Sequence, residues 1–430
     1  MKHIKRVLDN GLTTIMIPMT NTKIISMGFF VKTGSRNETA ENNGIAHFLE
    51  HMMFKGTKNR TAGEIFSELD NLGTEYNAVT TTQYTYYYTY GNSDDIKKIL
   101  DIMLDIYINS EFQTSEINKE KKVIIEEMRM RSDSPSMKLF SIMHKKFFEN
   151  TSLARDIIGT VDTVMNFKKK DFVDFRKVTY KPENTVFVIA GNFSPLPIFK
   201  LIKKYLNPIE NSTDVPVTYF GEKEIILSNM KKQTEPYVHI KQNNLLQQVY
   251  VLLAFPLYDL YSHKYREIEL LSQLLSAGFS SRLFKALREK KGITYTTNSF
   301  ILSYTGCSIF LIQIIINPNE LVKGLKILFK ELVRTKTELT SKEEMKKIKN
   351  ISKNDTLFAF DRTASVLTFY GVNYLMNRDF KFDIDNELQA LKKVKATSIQ
   401  KMAQEIFVYD KINLFMYGNI GETNYDFIKL

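Results

Sequence analysis

The residues of this chain with the clearest chemistry stand in one run, Gly44-Ile45-Ala46-His47-Phe48-Leu49-Glu50-His51-Met52-Met53-Phe54. The apolar positions Ile45, Phe48, Leu49, Met52 and Phe54 fit a half-buried helix. Positions three and four apart share a helix face, so His47, Glu50 and His51 project together. Two imidazoles one turn apart can hold one Zn²⁺, at about 2.0–2.1 Å each. A carboxylate beside them can accept a proton from a water that the metal acidifies. His-x-x-Glu-His is the inverted order of the His-Glu-x-x-His zinc-hydrolase motif.

Such a site needs a third protein ligand. The segment from Glu116 to Met128 reads as a long helix, N-capped near Thr114 or Ser115, with Glu116 in its first turn. Glu120 and Glu127 are seven apart and share a face, while Glu126 points elsewhere. Alone, two glutamates on such a helix are a solvated surface. Together with the first motif they make the chain similar to the pitrilysin-like (inverzincin) zinc metallopeptidases, in the branch of the mitochondrial processing peptidase. That family follows His-x-x-Glu-His with a glutamate about 76 residues after the second histidine, which here is Glu127. The resemblance implies that His47, His51 and Glu127 hold one Zn²⁺ per chain, that Glu50 is the base, and that Glu120 supports a ligating histidine from behind. It implies an edge strand at Asn77-Ala78 that pairs with substrate backbone. It also implies an arginine and a tyrosine seven residues apart, here Arg288 and Tyr295, that donate hydrogen bonds to a developing oxyanion. From the residues alone, Asn77-Ala78 lies on an exposed strand, Arg288 on a helix surface and Tyr295 on a strand.

The elements that must position these groups need a large chain, and 430 residues, 43% of them hydrophobic, are enough for two domains with cores of their own. The single Cys307 excludes an intramolecular disulfide framework and sits in an apolar run, as a core thiol does. The net charge of +11 is carried by lysines scattered over helix faces. No basic cluster interleaves with aromatics, so nucleic acid is not an expected partner. Residues 1–20 read as a strand, a turn at Asp9-Asn10-Gly11 and a second strand, not as a signal or transit peptide. No apolar run reaches the roughly 18 residues of a membrane helix. The expectation is a cytoplasm-like compartment without membrane insertion.

The second half repeats the first. Asn92-Ser-Asp-Asp-Ile-Lys-Lys-Ile-Leu aligns with Asn317-Pro-Asn-Glu-Leu-Val-Lys-Gly-Leu, and Thr114-Ser115 with Thr340-Ser341 after one inserted residue. Lys346 and Lys353 then stand where Glu120 and Glu127 stand. The expected fold class is α+β, with two structurally related α+β domains from an internal duplication. Each is a largely antiparallel sheet with helices packed on one face. Residues 1–210 form the zinc-binding domain, Pro208 to Pro216 a linker, and residues 217–430 a related domain without metal ligands. The expected function is a zinc-dependent endopeptidase acting on unfolded peptides or small polypeptides, as a homodimer or as a heterodimer with a related chain. The alternative is a non-catalytic structural or substrate-binding subunit of a family heterodimer. Relatives of that kind typically lose motif residues that this chain keeps.

Overall fold

The computed structural model describes residues 2–210, 232–257, 264–289 and 291–421. The expected linker, from residue 211 onward, lies outside the described residues. In chain order the elements are β1 (Ile4–Val7), β2 (Thr13–Pro18), β3 (Ile24–Val31), α1 (Ile45–Met52), α2 (Ala62–Asn71), β4 (Glu75–Thr80), β5 (Thr85–Asn92), α3 (Ile96–Asn109), α4 (Thr114–Asp133), α5 (Pro135–Phe147), α6 (Val161–Asn166), α7 (Lys169–Thr179), β6 (Thr185–Gly191) and α8 (Pro195–Leu206). They continue as β7 (Tyr237–Gln242), β8 (Val249–Leu257), α9 (Tyr265–Ser276), β9 (Thr294–Tyr304), β10 (Cys307–Ile316), α10 (Leu321–Thr337), α11 (Lys342–Asp361), α12 (Thr363–Met376), α13 (Ile384–Lys393), α14 (Ala396–Ile406) and β11 (Asn413–Gly418).

These elements make two compact units. The first holds β1–β6, α1–α3, most of α4, α6–α8 and Leu357–Asp383; the second holds Arg131–Thr151, β7–β11, α9, α10, most of α11, α13 and α14. The first sheet has the order β1-β2-β6-β3-β5-β4, antiparallel except for the β2–β6 pair. Ile25, Met27, Phe29 and Val31 of β3 enter a core shared with α1, α3 and α7. The alternate residues of β3 face α12: Ser26 Oγ donates to Thr363 Oγ1 at 2.8 Å, and a Cβ on Gly371 would fall 2.4 Å from the Phe30 ring. Helices therefore cover β3 and β6 on both faces, one of them supplied from far along the chain. Burial on both faces is why β6 reads as an unbroken apolar run.

The second sheet has the order β7-β11-β8-β10-β9, with β7 and β11 parallel and the other pairs antiparallel. That is the pattern of β2-β6-β3-β5-β4, so the duplication read from the sequence is a duplication of topology. One face of this sheet packs on α9, α10 and α14. The other receives α5, whose Lys138 Nζ stands 5.7 Å from the Tyr417 ring centroid. Each unit thus contains one helix encoded among the elements of the other. Cys307 is buried at the start of β10, as a core thiol. No helix among the described residues is long and apolar enough to cross a membrane.

Within the second unit an ion pair joins the segment before β9 to the first turn of α11. Arg282, 4% exposed, donates from Nε and Nη2 to the Glu344 carboxylate at 2.8 and 2.9 Å. Burial works against the charge on Glu344, but the pairing with Arg282 and the Ser341 N–H outweigh it and hold the carboxyl at about 2. A folded-state value below the unfolded one means stability that is present above the ordinary carboxylate range and lost as pH falls from about 4.5 toward 2. Glu344→Gln is expected to cost about 3 kcal/mol at pH 7, because it strands a buried guanidinium. It should also flatten the acid limb in that window. Urea titrations across pH measure both, and wild-type stability at pH 7 would show that the pair contributes nothing.

Candidate metal centre

The metal helix α1 is only eight residues long and is held by its apolar side. Ile45, Phe48, Leu49 and Met52 are buried, and the Phe48 ring meets Phe172 of α7 edge-on at 4.8 Å. The opposite side carries His47 and His51, with ring centroids 4.7 Å apart. The partner helix α4 is polar almost throughout. Its buried residues are Ile117, Glu120 and Ile124, and Glu127 continues that seam. The one stripe on which α4 can pack therefore delivers two carboxylates to α1.

His47 Nε2 lies 3.7 Å from Glu127 Oε2, and His51 Nε2 lies 3.8 Å from the same oxygen. One donor atom from each of the three residues falls within 4.8 Å of the other two. Ligands at about 2.0–2.1 Å around a tetrahedral zinc stand roughly 3.3 Å apart, so the 3.7 and 3.8 Å from Glu127 Oε2 to the two histidine nitrogens are only a few tenths of an ångström too long. Two imidazoles and a carboxylate are the protein donor set of a hydrolytic zinc site. Among the described residues this is the one cluster of its kind.

The surroundings sort the acids into different tasks. Glu120 Oε1 accepts from His51 Nδ1 at 2.9 Å, and Oε2 accepts from Lys55 Nζ at 2.6 Å. With Nδ1 as the donor, the lone pair of His51 is on Nε2, toward Glu127. Burial alone would raise the Glu120 carboxyl, but the bonds from His51 and Lys55 prevail and hold it below its ordinary value. Glu50 goes the other way. Burial and the Glu127 charge push its carboxyl up, against a hydrogen bond from Thr80 Oγ1 at 2.5 Å. For His51, burial favours the neutral ring, yet Glu120, Glu50 and Glu127 together raise it. The loop after α1 is tied to α3 by Arg60, which donates to Glu68, Asp101 and Asp105 at 2.7–3.0 Å.

The sequence reading did not anticipate Lys55, Thr80 or the buried Glu38. Lys55 stands four residues after His51, the helical spacing that could have flagged it. Thr80 ends the strand that bears Asn77 and Ala78. That strand, β4, is the edge of the first sheet and among the described residues pairs only with β5; it is exposed at Asn77, but Ala78 is buried in the core. The Ala78 N–H is engaged by the Asn77 side chain at 2.8 Å. Arg288 and Tyr295 belong to the second unit, whereas the metal cluster is in the first. Arg288 lies in the last turn of a wide helical segment, Phe284–Glu289, with its guanidinium 5.1 Å from the Phe284 ring centroid. Tyr295 lies at a bulge in β9, where Thr294 and Thr296 pair with consecutive residues of β10. Outside this site, His144 bonds Tyr304 at 2.9 Å and His3 bonds Tyr374 at 2.6 Å, as structural histidines do.

The pattern described as Insulinase (Peptidase family M16) matches residues 14–161, and that described as Peptidase M16 inactive domain matches residues 166–352. The chain belongs to the peptidase M16 family. An uncharacterized zinc protease of Rickettsia felis is 31% identical over 93% of this chain and 94% of its own length. One of Bacillus subtilis is 28% identical over 95% and 96%. The mitochondrial-processing peptidase subunit beta of Bos taurus is 27% identical over 94% of this chain and 81% of its own. The crystal structure of a protease from Helicobacter pylori superimposes with a TM-score of 0.87 at 25% identity, covering 97% of this chain and 99% of that one. The M16 relationship, the zinc-compatible donors and the duplicated α+β fold agree with one another.

Glu120→Gln is expected to lower zinc affinity by about 10- to 100-fold, because Gln accepts more weakly from His51 and loses the Lys55 pair. Competition against a chelator of known affinity measures it, and an unchanged affinity would show that Glu120 does not support the ligand.

Proposed function

We propose that this chain is a zinc endopeptidase of unfolded peptides or small polypeptides, with His47, His51 and Glu127 as metal ligands and Glu50 as the proton-transferring group. The observation that carries the reading is the three-donor cluster with the Glu50 carboxylate on the same short helix. A zinc ion held there supplies Lewis acidity toward a water and toward the scissile carbonyl. Glu50, raised by burial, accepts the proton of the attacking water and delivers it to the leaving amine. Thr80 aims the Glu50 carboxylate by its hydrogen bond. Glu120 keeps the Nδ1 proton on His51 and so keeps Nε2 available. An extended peptide adds to the free edge of β4, displacing the Asn77 side chain from the Ala78 N–H and using that N–H itself. The division of the chain into a zinc-binding domain and a related domain without ligands belongs to the same reading.

Glu50→Gln is the direct test. It should keep one zinc per chain by elemental analysis and lose at least about a thousandfold in peptide hydrolysis, since the amide takes no proton. Full activity with zinc retained would sink the mechanism.

Assembly follows from the resemblance to peptidases whose chamber is built from two such chains. A second copy, or a related chain, closes the chamber, and Arg288 and Tyr295 serve the metal centre of the partner. Glu50→Gln and Tyr295→Phe are each expected to be nearly inactive alone. Mixed, with subunit exchange verified, they should regain activity, because the Tyr295→Phe chain keeps a whole metal site and receives Tyr295 from its partner. No recovery would exclude supply between chains, and a fully active monomer by light scattering would exclude the dimer.

A further inference from the structure

The N-terminal end of α1 is built in an unusual way. Its cap position is Gly44, at φ +95°, which has no side chain to accept from the orphan N–H groups of the first turn. The acceptor comes from Glu38, six residues earlier and fully buried. Glu38 Oε2 accepts from the Gly44 N–H and from Asn43 Nδ2, and Oε1 accepts from the Ala46 N–H, all at 2.8 Å. A carboxylate at this end also meets the positive pole of the helix. Burial pushes the Glu38 carboxyl up to about 7 despite these hydrogen bonds and the charge of Arg155. Carboxylates are seldom fully buried without a structural or functional reason.

The same corner is clamped from its other side. Asn43 Nδ2 also donates to the Asp156 carbonyl at 2.8 Å, and Thr163 Oγ1 donates to the Asn43 carbonyl at 2.7 Å. Gly44 and Gly159 touch backbone to backbone: a Cβ on Gly159, at φ +80°, would fall 2.4 Å from the Asn43 carbonyl oxygen. Ala46 is one peptide bond from His47 and one helical turn from Glu50. A helix of eight residues does not hold its own position in water. A slip of one residue would move the donors by about 1.5 Å and rotate them by roughly 100°. Metal coordination tolerates only about 0.2 Å.

We propose that Glu38 is a positioning residue of the metal centre. It grips the first turn of α1, and through Ala46 it sets where His47, Glu50 and His51 point, without touching metal or peptide. The proposal rests on the zinc reading of the His47, His51 and Glu127 cluster, and not on hydrolysis.

Glu38→Gln preserves size but turns an amide N–H₂ toward a backbone or side-chain donor. Its zinc affinity, by chelator competition well below its melting temperature, is expected to fall by at least about tenfold. The visible absorption of the Co²⁺-substituted protein should change, since it reports ligand geometry. Leu206→Ala, a cavity in α8 of the same unit, is the control for lost stability alone, and should keep wild-type zinc affinity and the wild-type Co²⁺ spectrum. Asn43→Ala is the milder variant should Glu38→Gln fail to fold. It removes one donor to Glu38 and the tie to Asp156, and zinc affinity should drop severalfold. Wild-type affinity and spectrum in the folded Glu38→Gln protein, or wild-type affinity in Asn43→Ala, would overturn the proposal. So would an equal loss in Leu206→Ala. A wild-type protein that binds no zinc would overturn it together with the metal reading. Zinc weakened by Glu38→Gln in a chain that cleaves no peptide would support the proposal while the peptidase reading fell.

Discussion

Three donor atoms from two helices far apart in sequence must stay within a few tenths of an ångström of a common arrangement, and neither helix can ensure this by itself. The metal helix is too short to be stable alone, and α4 is too polar to bury more than a narrow seam. The solution is a set of ties at every side of α1. Phe48 anchors it to α7, and Glu120 links His51 to Lys55. Glu38 holds its first turn, and Arg60 fastens the loop that leaves it. The ties through Glu120, Glu38 and Arg60 use groups that would be costly to bury unpaired, so the corner is ordered as a whole or not at all.

The electrostatics follow from the same packing. Glu50, Glu120 and Glu127 converge near two imidazoles and one ammonium, and their environments push them apart. Glu120, with hydrogen bonds from His51 and the Lys55 ammonium, is held ionised. Glu50, buried against a hydroxyl and near another carboxylate, is drawn toward its protonated form. Carboxyls separated in this way can divide the labour of structure and proton transfer, although they come from the same residue type.

The duplication shows how independent the fold is of this chemistry. The second unit repeats the five-strand pattern around its own core, yet Lys346 and Lys353 stand at the positions that match Glu120 and Glu127. What both copies retain is the apolar seam of each helix and the alternation of each strand. Those patterns specify the architecture, and the donors are a separate layer of sequence placed on it. The exchange of α5 and α12 has the same origin. Both sheets have a second apolar face that needs cover, and α12 meets it with a seam from Val366 through Leu367, Tyr370 and Gly371 to Leu375.

Local periodicity was enough to place His47, Glu50 and His51 on one helix face, Glu120 and Glu127 on another, and Asn77-Ala78 on a strand. It was also enough to see the repeat, because each of these rests on spacings of two, three, four or seven residues within a single element. The sequence could not reveal that Glu38 caps the metal helix, that Thr80 holds Glu50, or that Lys55 completes the Glu120 pair. Nor could it reveal that each sheet takes a helix from the other half of the chain. Those are meetings between elements, chosen when apolar seams close against one another across long stretches of chain. A residue's own neighbours in sequence carry no record of which seam will be opposite.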